Sequence, residues 1–145
     1  MTMHVVLTRS FRGWSLIELM VVLAVVALLS TMAVATYRSQ MLRANRSDGT
    51  ATLLRIQVAQ EQFFVQQQRY ADSAELLIAP PAGLGFSATS PDGHYTLALV
   101  RPTLLTYTIT ASATSGQAAD IAACRVLSIN EQGIRTPATS SGCWH

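Results

Sequence analysis

The chain has 145 residues, with ten arginines, no lysines and eight acidic residues, so its formal net charge is +2. This length leaves room for one small domain of about 110 residues behind an N-terminal apolar segment. Without Arg9 and Arg12 near the N-terminus, the positive and negative side chains balance. The charge therefore gives no general reason to expect a nucleic acid or another polyanion as a partner.

The first predicted element is an apolar helix over residues 14–36, with Glu18 as its single charged residue. At 1.5 Å per residue, roughly 22 helical residues span about 33 Å, slightly more than the ~30 Å hydrocarbon core of a bilayer. An acid in such a segment is costly and generally has a functional reason, although Glu18 lies near enough to one end to reach the interface. Arg9 and Arg12 precede the segment, so the positive-inside rule predicts a cytoplasmic N-terminus and an exported C-terminal part.

The apolar segment is also compatible with two simpler roles. One is an ordinary secretory signal cleaved after Ala35, because Ala33, Val34 and Ala35 form an Ala-x-Ala-like site. The segment is longer than the roughly 7–15 residues of a signal core and contains an acid, and both features disfavour this role. The second simpler role is that of a plain membrane anchor.

Beyond the apolar segment, residues 37–70 lack proline and contain only Gly49 as a helix-weakening residue, which predicts that the helix continues. We expect it to bend or loosen at residues 47–50. An apolar stripe at helical spacing predicts the face that lies across a sheet. The stripe is centred on Leu54, Val58 and Val65, with Leu53, Ile56, Phe63 and Phe64 on adjacent rows.

The remainder predicts a loop followed by an antiparallel sheet. Residues 71–93 are rich in Ala, Pro, Gly and Ser and form the connecting loop, in which residues 76–78 pack locally. Strands are predicted at 94–100, 105–111 and 124–129, with a turn at 130–133 and a short fourth strand at 134–136. Alternation puts two sets of side chains on inner faces, Tyr95, Leu97 and Leu99 in the first strand and Leu105, Tyr107 and Ile109 in the second.

Residues 13–20, Gly-Trp-Ser-Leu-Ile-Glu-Leu-Met, resemble the class III signal of type IV pilins and type II secretion pseudopilins. The resemblance joins a short basic leader, a glycine, a glutamate at fixed offset and a membrane-length helix. It implies that a prepilin peptidase cleaves between Gly13 and Trp14 and methylates the new amine of Trp14. Residues 1–13 are then a cleaved leader, 14–36 a transmembrane and filament-core helix, and 37–145 an exported globular domain.

The same resemblance implies that Glu18 is an assembly residue, whose carboxylate pairs with the terminal amine of Trp14 on a neighbouring subunit. A buried carboxylate without a partner is strongly disfavoured, so this pair rejects wrong axial registers. The sequence also departs from the family. Trp14 stands where phenylalanine is usual, and Ala27 and Ala35 stand where many pilins have glycine and proline, which predicts a more continuous helix.

Cys124 and Cys143 are the only cysteines, and two thiols in an exported protein are expected to pair. The alternative is a metal site formed by these cysteines with His94 and His145, but no Cys-x-x-Cys or His-x-x-x-His spacing supports it. Residues 124–144 also resemble the disulfide-bounded C-terminal region of PilE-like minor pilins. We therefore expect a disulfide, no metal and no cofactor.

These observations predict an α+β type IV pilin fold, in which a long N-terminal helix packs on a small antiparallel sheet. The resemblance implies a minor pilin that contributes to pilus assembly and hence to adhesion, twitching motility or DNA uptake. A major pilin and a type II secretion pseudopilin are alternatives, although a major pseudopilin would carry an acid-rich calcium loop that the residues after Asp120 do not offer. A DNA-binding competence pilin is a further alternative, supported only by the clustered Arg38, Arg43 and Arg46.

The sequence contains no Gly-x-Ser-x-Gly, His-Glu-x-x-His or phosphate-binding glycine motif, so we do not expect an enzyme. The expected partners are other pilins, both major and minor, the prepilin peptidase, the inner-membrane assembly machinery and the inner membrane itself. The protein is expected in the inner membrane, with its C-terminal domain in the periplasm, and then in the extracellular pilus.

Overall fold

A computed structural model describes residues 13–144, except the side chains of Met32, Ala35 and Ser115. Most of the predicted leader, with Arg9 and Arg12, lies outside the described residues, as does His145. The regular elements are α1 (Leu16–Gln67), β1 (Tyr95–Thr103), β2 (Thr106–Ala113), β3 (Val126–Asn130) and β4 (Arg135–Thr136). The chain divides into two compact units, one ending at Tyr37 and one starting at Arg38.

In the second unit, the four strands form one sheet in the order β1-β2-β3-β4, and each pair of neighbours is antiparallel. The register places Leu97 beside Ala111 and Ala111 beside Leu127, so three buried side chains form a row across the inner face. This sheet, the long N-terminal helix and the C-terminal disulfide confirm the predicted α+β fold. Leu105 is a correction, because it lies in the β1–β2 turn and is 61% exposed instead of facing inward.

Helix α1 contains a segment that is long and apolar enough, by length and composition alone, to cross a membrane. The helix also continues without a break through residues 47–50, where the sequence predicts a bend or loosening. Gly49 is buried there against Tyr95, and a Cβ atom at this position would lie 2.9 Å from Cδ2 of the tyrosine ring. The glycine therefore permits close approach of the helix to the sheet, at the cost of its low helix propensity.

The buried face of α1 differs by one row from the predicted stripe. Val58 and Val65 are 57% and 73% exposed, so the prediction that they centre the stripe is wrong. The buried row instead includes Arg46, Thr50, Leu53, Ile56, Gln60 and Phe63. Because Arg46, Thr50 and Gln60 are polar, this row carries a weaker apolar pattern in the sequence than the row beside it.

The connecting loop is held to the helix and the sheet by polar contacts. The side-chain amide of Gln60 accepts a hydrogen bond from the Ala71 N–H at 2.8 Å and donates one to the Ala71 carbonyl at 3.1 Å. Arg69 pairs with Glu75 at 2.6 Å, and Arg101 pairs with Asp72 at 3.1 Å. These contacts order the first part of the loop although it contains no regular helix or strand.

Cys124 and Cys143 are bonded to each other, with their Cα atoms 5.2 Å apart, and both are fully buried. The bond ties the C-terminal segment to the turn that precedes β3. Since the two sulfur atoms form a disulfide, the alternative metal site on two cysteine thiolates is wrong. Among the described residues, no cluster of histidine, cysteine and acidic side chains is suited to a metal ion.

Replacing both Cys124 and Cys143 by alanine should lower the free energy of unfolding by about 3 kcal/mol, because the bond closes a loop of about 20 residues in the unfolded chain. Urea unfolding of the full chain in detergent, followed by tryptophan fluorescence, measures this change. As a control, alkylation of the unreduced wild-type protein should label neither cysteine. Two alkylated thiols in freshly isolated native protein would contradict the assignment.

Candidate functional site

The predicted processing and assembly residues lie together at the start of the described part of the chain. Gly13 and Trp14 precede α1, and the Leu19 N–H donates a 3.1 Å hydrogen bond to the Ser15 carbonyl at its first turn. Glu18 lies in the same turn and is exposed. An anionic side chain is favoured there because the first turn carries the positive end of the helix dipole.

The rest of this unit presents an apolar surface with few polar atoms to satisfy. Every large apolar side chain described in residues 14–34 is exposed within the chain. The hydroxyls of Ser30 and Thr31 donate to the carbonyls of Val26 and Leu28, both at 2.7 Å, so the helix itself satisfies them. An apolar surface of this extent requires lipid or other protein around it.

In the second unit, α1 is fastened to the C-terminal half of the domain by a buried ion pair. Arg46 and Asp120 are only 4% and 3% exposed. Arg46 Nε donates to one carboxylate oxygen of Asp120 and a terminal nitrogen donates to the other, both at 2.7 Å. Because Asp120 follows the short 3₁₀ turn Ser115–Ala119, this bidentate pair joins the helix to the segment between β2 and β3.

Further hydrogen bonds complete the cluster around the ion pair. The other terminal nitrogen of Arg46 donates to the Gly142 carbonyl at 3.0 Å, which holds the C-terminal segment next to Cys143. Gln117 donates to Asp120 at 3.1 Å and to the Tyr95 hydroxyl at 3.3 Å. The cluster therefore connects α1, β1 and the C-terminal segment at one point of the domain.

The pair alters the pKa values of both of its members. Burial alone would raise the pKa of Asp120, but the hydrogen bonds from Arg46 and the Ile121 N–H outweigh it and hold that pKa below its usual value. The hydrogen bond to Asp120 raises the pKa of Arg46 further above its usual value, against the effect of burial. Both side chains are therefore charged at neutral pH.

This burial corrects one sequence prediction. The sequence groups Arg38, Arg43 and Arg46 as clustered positive charges, but only Arg38 and Arg43 are exposed. Arg46 lies two helical turns before Leu53 and so belongs to the buried row. This spacing of seven residues could have indicated from the sequence that Arg46 lies on the buried face. The partner, Asp120, gave no comparable signal because it stands alone in an irregular segment.

A second polar contact fixes the end of the connecting loop to α1. Asp48 accepts a hydrogen bond from the Ser90 hydroxyl, and weaker ones from the backbone N–H groups of Asp92 and His94. Ser90 in turn accepts from the Tyr95 N–H at 3.0 Å. This contact sets the start of β1 beside the helix, so His94, Asp92 and Asp48 serve the fold in this arrangement.

The sequence matches a family model described as "Type IV minor pilin ComP, DNA uptake sequence receptor" over residues 35–128. It matches a model described as "Prokaryotic N-terminal methylation motif" over residues 8–34. The type IV major pilin protein PilA of Myxococcus xanthus (strain DK1622) is 36% identical over 73 residues, which cover 50% of this chain and 33% of PilA. The chain thus spans about a third of the length of this curated relative.

Proposed function

Because this chain belongs to the family described as "Type IV minor pilin ComP, DNA uptake sequence receptor", we propose that it enters a type IV pilus as a minor subunit and contributes to pilus assembly. The observation that carries this function is the exposed apolar first half of α1, with Glu18 in its first turn. Such a surface suits two successive environments, the inner membrane before assembly and the helices of other pilins afterwards.

In this proposal the chain is synthesised with residues 1–13 as a leader and is anchored in the inner membrane with its N-terminus in the cytoplasm. The prepilin peptidase cleaves between Gly13 and Trp14 and methylates the new amine of Trp14. The methylation-motif match over residues 8–34 supports this step. Residues 37–145 then lie in the periplasm until the assembly machinery moves the subunit into the extracellular pilus.

Pilin families are structural, and their members associate with one another in pili. We therefore assign this chain no catalytic residue. Its contribution is to offer surfaces, the apolar helix to the filament core and the disulfide-bonded domain to neighbouring pilins or to the outside. Adhesion and twitching motility follow from the pilus as a whole.

DNA capture is a second candidate function, favoured by the description of the matching family. The charges available for it are few. Arg46, Arg69 and Arg101 are held in ion pairs, and Arg135 stacks on Trp144 at 5.3 Å. Among residues 13–144, the arginines left exposed are Arg38, Arg43, Arg55 and Arg125. A DNA mobility shift with the mature protein, measured at several salt concentrations, tests this candidate.

The processing step can be tested at Gly13, where Gly13→Leu should abolish cleavage because a bulky side chain replaces the smallest one at the cleaved bond. Mass spectrometry of the wild-type protein should find a methylated Trp14 as the first residue, whereas the variant should keep its leader. Gly13→Ala, which is still small, is the matched control and should be processed at least in part. A Gly13→Leu variant of mature length would rule out this cleavage site.

A further inference from the structure

The domain from Arg38 onward has two ends that differ in charge and shape. One, which we call the proximal end, contains the first turns of α1 in this unit and the segment around Asp120. The other, the distal end, contains the β1–β2 turn, the last turns of α1 and the β3–β4 turn. Arg43 and Glu61 mark the two ends, about 27 Å apart along the helix axis.

The proximal end carries a groove of about 520 Å³. Leu42, Ala119 and Ile121 supply its apolar lining, and Ile121 is more than half exposed. Asp120 in its wall is already paired with Arg46. Arg43 also lines the groove, and no ion pair holds it within the described part of the chain. The groove therefore offers an apolar floor and one available positive charge.

The distal end carries a protruding apolar tip with the opposite charge beside it. Leu104 and Leu105 form the β1–β2 turn and are each more than half exposed, as is Val100 on the outer face of β1. The turn is tied to the end of the helix because the Tyr70 N–H donates to the Leu104 carbonyl at 2.9 Å. Two adjacent exposed leucines are unusual for a solvated turn, where Gly, Pro, Asn, Asp and Ser are typical, and they indicate a contact surface.

Two carboxylates without a cationic partner flank this tip. Glu61 accepts a hydrogen bond from the Tyr70 hydroxyl at 3.2 Å, and Glu131 accepts one from the Tyr107 N–H at 3.3 Å. Within residues 13–144 neither acid forms an ion pair. The arginines of this end, Arg69 and Arg101, are already paired with Glu75 and Asp72. The distal end is thus negative where the proximal groove is positive.

We propose that the distal tip of one copy of this chain docks in the proximal groove of a second copy, so that two neighbouring copies stack head to tail. Leu104 and Leu105 then cover Leu42 and Ile121, and Arg43 faces Glu61 and Glu131. Subunits of an open filament meet through two different surfaces, which this arrangement provides and a two-fold dimer does not. The opposite charges favour this pairing and disfavour tip-to-tip or groove-to-groove contact.

The contact is small and is expected to be weak on its own. It rests on the proposed function, since association of the apolar helices raises the local concentration of the two surfaces and makes a weak second contact effective. The tip and the groove then fix the order and spacing of neighbouring domains, in addition to the helix register that Glu18 and the Trp14 amine are proposed to set.

Paired cysteines test the proposal in cells. One tagged copy carries Leu105→Cys and a differently tagged copy carries Ile121→Cys, and oxidative cross-linking is scored in membranes and in sheared pili. The mixed pair should give at least tenfold more of the two-tag product than a control pair in which Val126→Cys, on the outer face of β3, replaces Ile121→Cys. Equal yields, or cross-linking to a different pilin in place of a second copy, would overturn the proposal.

Charge exchange provides the second measurement. Arg43→Glu in the copy that carries Ile121→Cys should lower the cross-linked yield about tenfold, because it places like charges opposite each other. Adding Glu61→Arg and Glu131→Arg to the other copy should restore it. An unchanged yield with Arg43→Glu would contradict the proposed pairing of Arg43 with Glu61 and Glu131. If the wild-type chain is absent from sheared pili, the proposed function is wrong. If the chain reaches pili but the Ile121→Cys and Val126→Cys pairs give equal yields of the two-tag product, only this interface is wrong.

Discussion

Arg46→Met should lower the free energy of unfolding of the domain from Arg38 onward by about 3–5 kcal/mol, the usual cost of removing one member of a buried ion pair. The side chain is replaced by one of similar length, so the main change is that the buried carboxylate of Asp120 loses its bidentate partner. The Gly142 carbonyl loses its donor as well, and the C-terminal segment should become more accessible to protease. Urea unfolding and limited proteolysis measure the two effects.

Two further variants separate the ion pair from general loss of arginine. Arg69→Met removes an arginine from a more exposed pair and should change stability much less. Combining Arg46→Met with Asp120→Leu should recover part of the lost stability, because an apolar pair of similar volume leaves no buried charge. Equal destabilisation by Arg46→Met and Arg69→Met would show that burial of the first pair has no special importance.

The same pair sets a pH dependence. The pKa of Asp120 is held below its usual value in the folded protein, so the unfolded state binds more protons as the pH falls. The stability that this carboxylate contributes is fully present above its unfolded pKa of about 3.9 and is lost as the pH falls through the lower folded value. The difference in unfolding free energy between wild type and Arg46→Met should therefore shrink below about pH 4.

The part of the fold that the sequence predicts well is the sheet, because its strands bury one face and expose the other. Tyr95, Leu97 and Leu99 alternate with exposed residues, and the structure buries all three. The strand prediction is wrong at Leu105, where the alternation extends back into a turn. A period of two residues indicates a face but does not indicate where a strand begins.

The buried face of α1 is harder to predict from the sequence than the sheet, because polar residues occupy part of it. Arg46 and Gln60 lie in the core, where Arg46 pairs with Asp120 and Gln60 binds the backbone of Ala71. Both partners are distant in sequence and lie in irregular segments, so no local pattern identifies them. The predicted bend at Gly49 is wrong for the same reason, since the close contact of this glycine with Tyr95 depends on how the helix crosses the sheet.

The sequence predicts functional residues that lie within one short segment. It does not predict surfaces that several distant segments form together. Gly13, Trp14 and Glu18 form one contiguous motif. The proximal groove instead lies between α1 and two segments, one shortly before each of the bonded cysteines. The charge beside the distal tip comes from Glu61 on α1 and Glu131 in the β3–β4 turn. Such combinations become visible only once the strand order and the disulfide are in place.

Glu18→Gln should leave membrane insertion and processing intact and yet strongly reduce the amount of this subunit in pili. The change keeps the shape of the side chain and removes its charge, which costs up to roughly 2.5–3.5 kcal/mol at the centre of a membrane helix and less near its ends, where Glu18 lies. Insertion should therefore be as easy as in the wild type or easier. Incorporation should suffer, because the terminal amine of Trp14 on a neighbouring subunit loses the carboxylate proposed to pair with it.

Quantifying the variant in the membrane fraction and in the sheared-pilus fraction separates assembly from anchoring. Asp92→Asn, which removes one exposed acid from the loop before β1, is the matched control and should enter pili normally. If Glu18 only reaches the membrane interface, both variants should be incorporated equally, since an interfacial carboxylate has no partner in the filament. Wild-type levels of Glu18→Gln in the pilus fraction would therefore end the assembly role of this residue, while a loss confined to that fraction would support it.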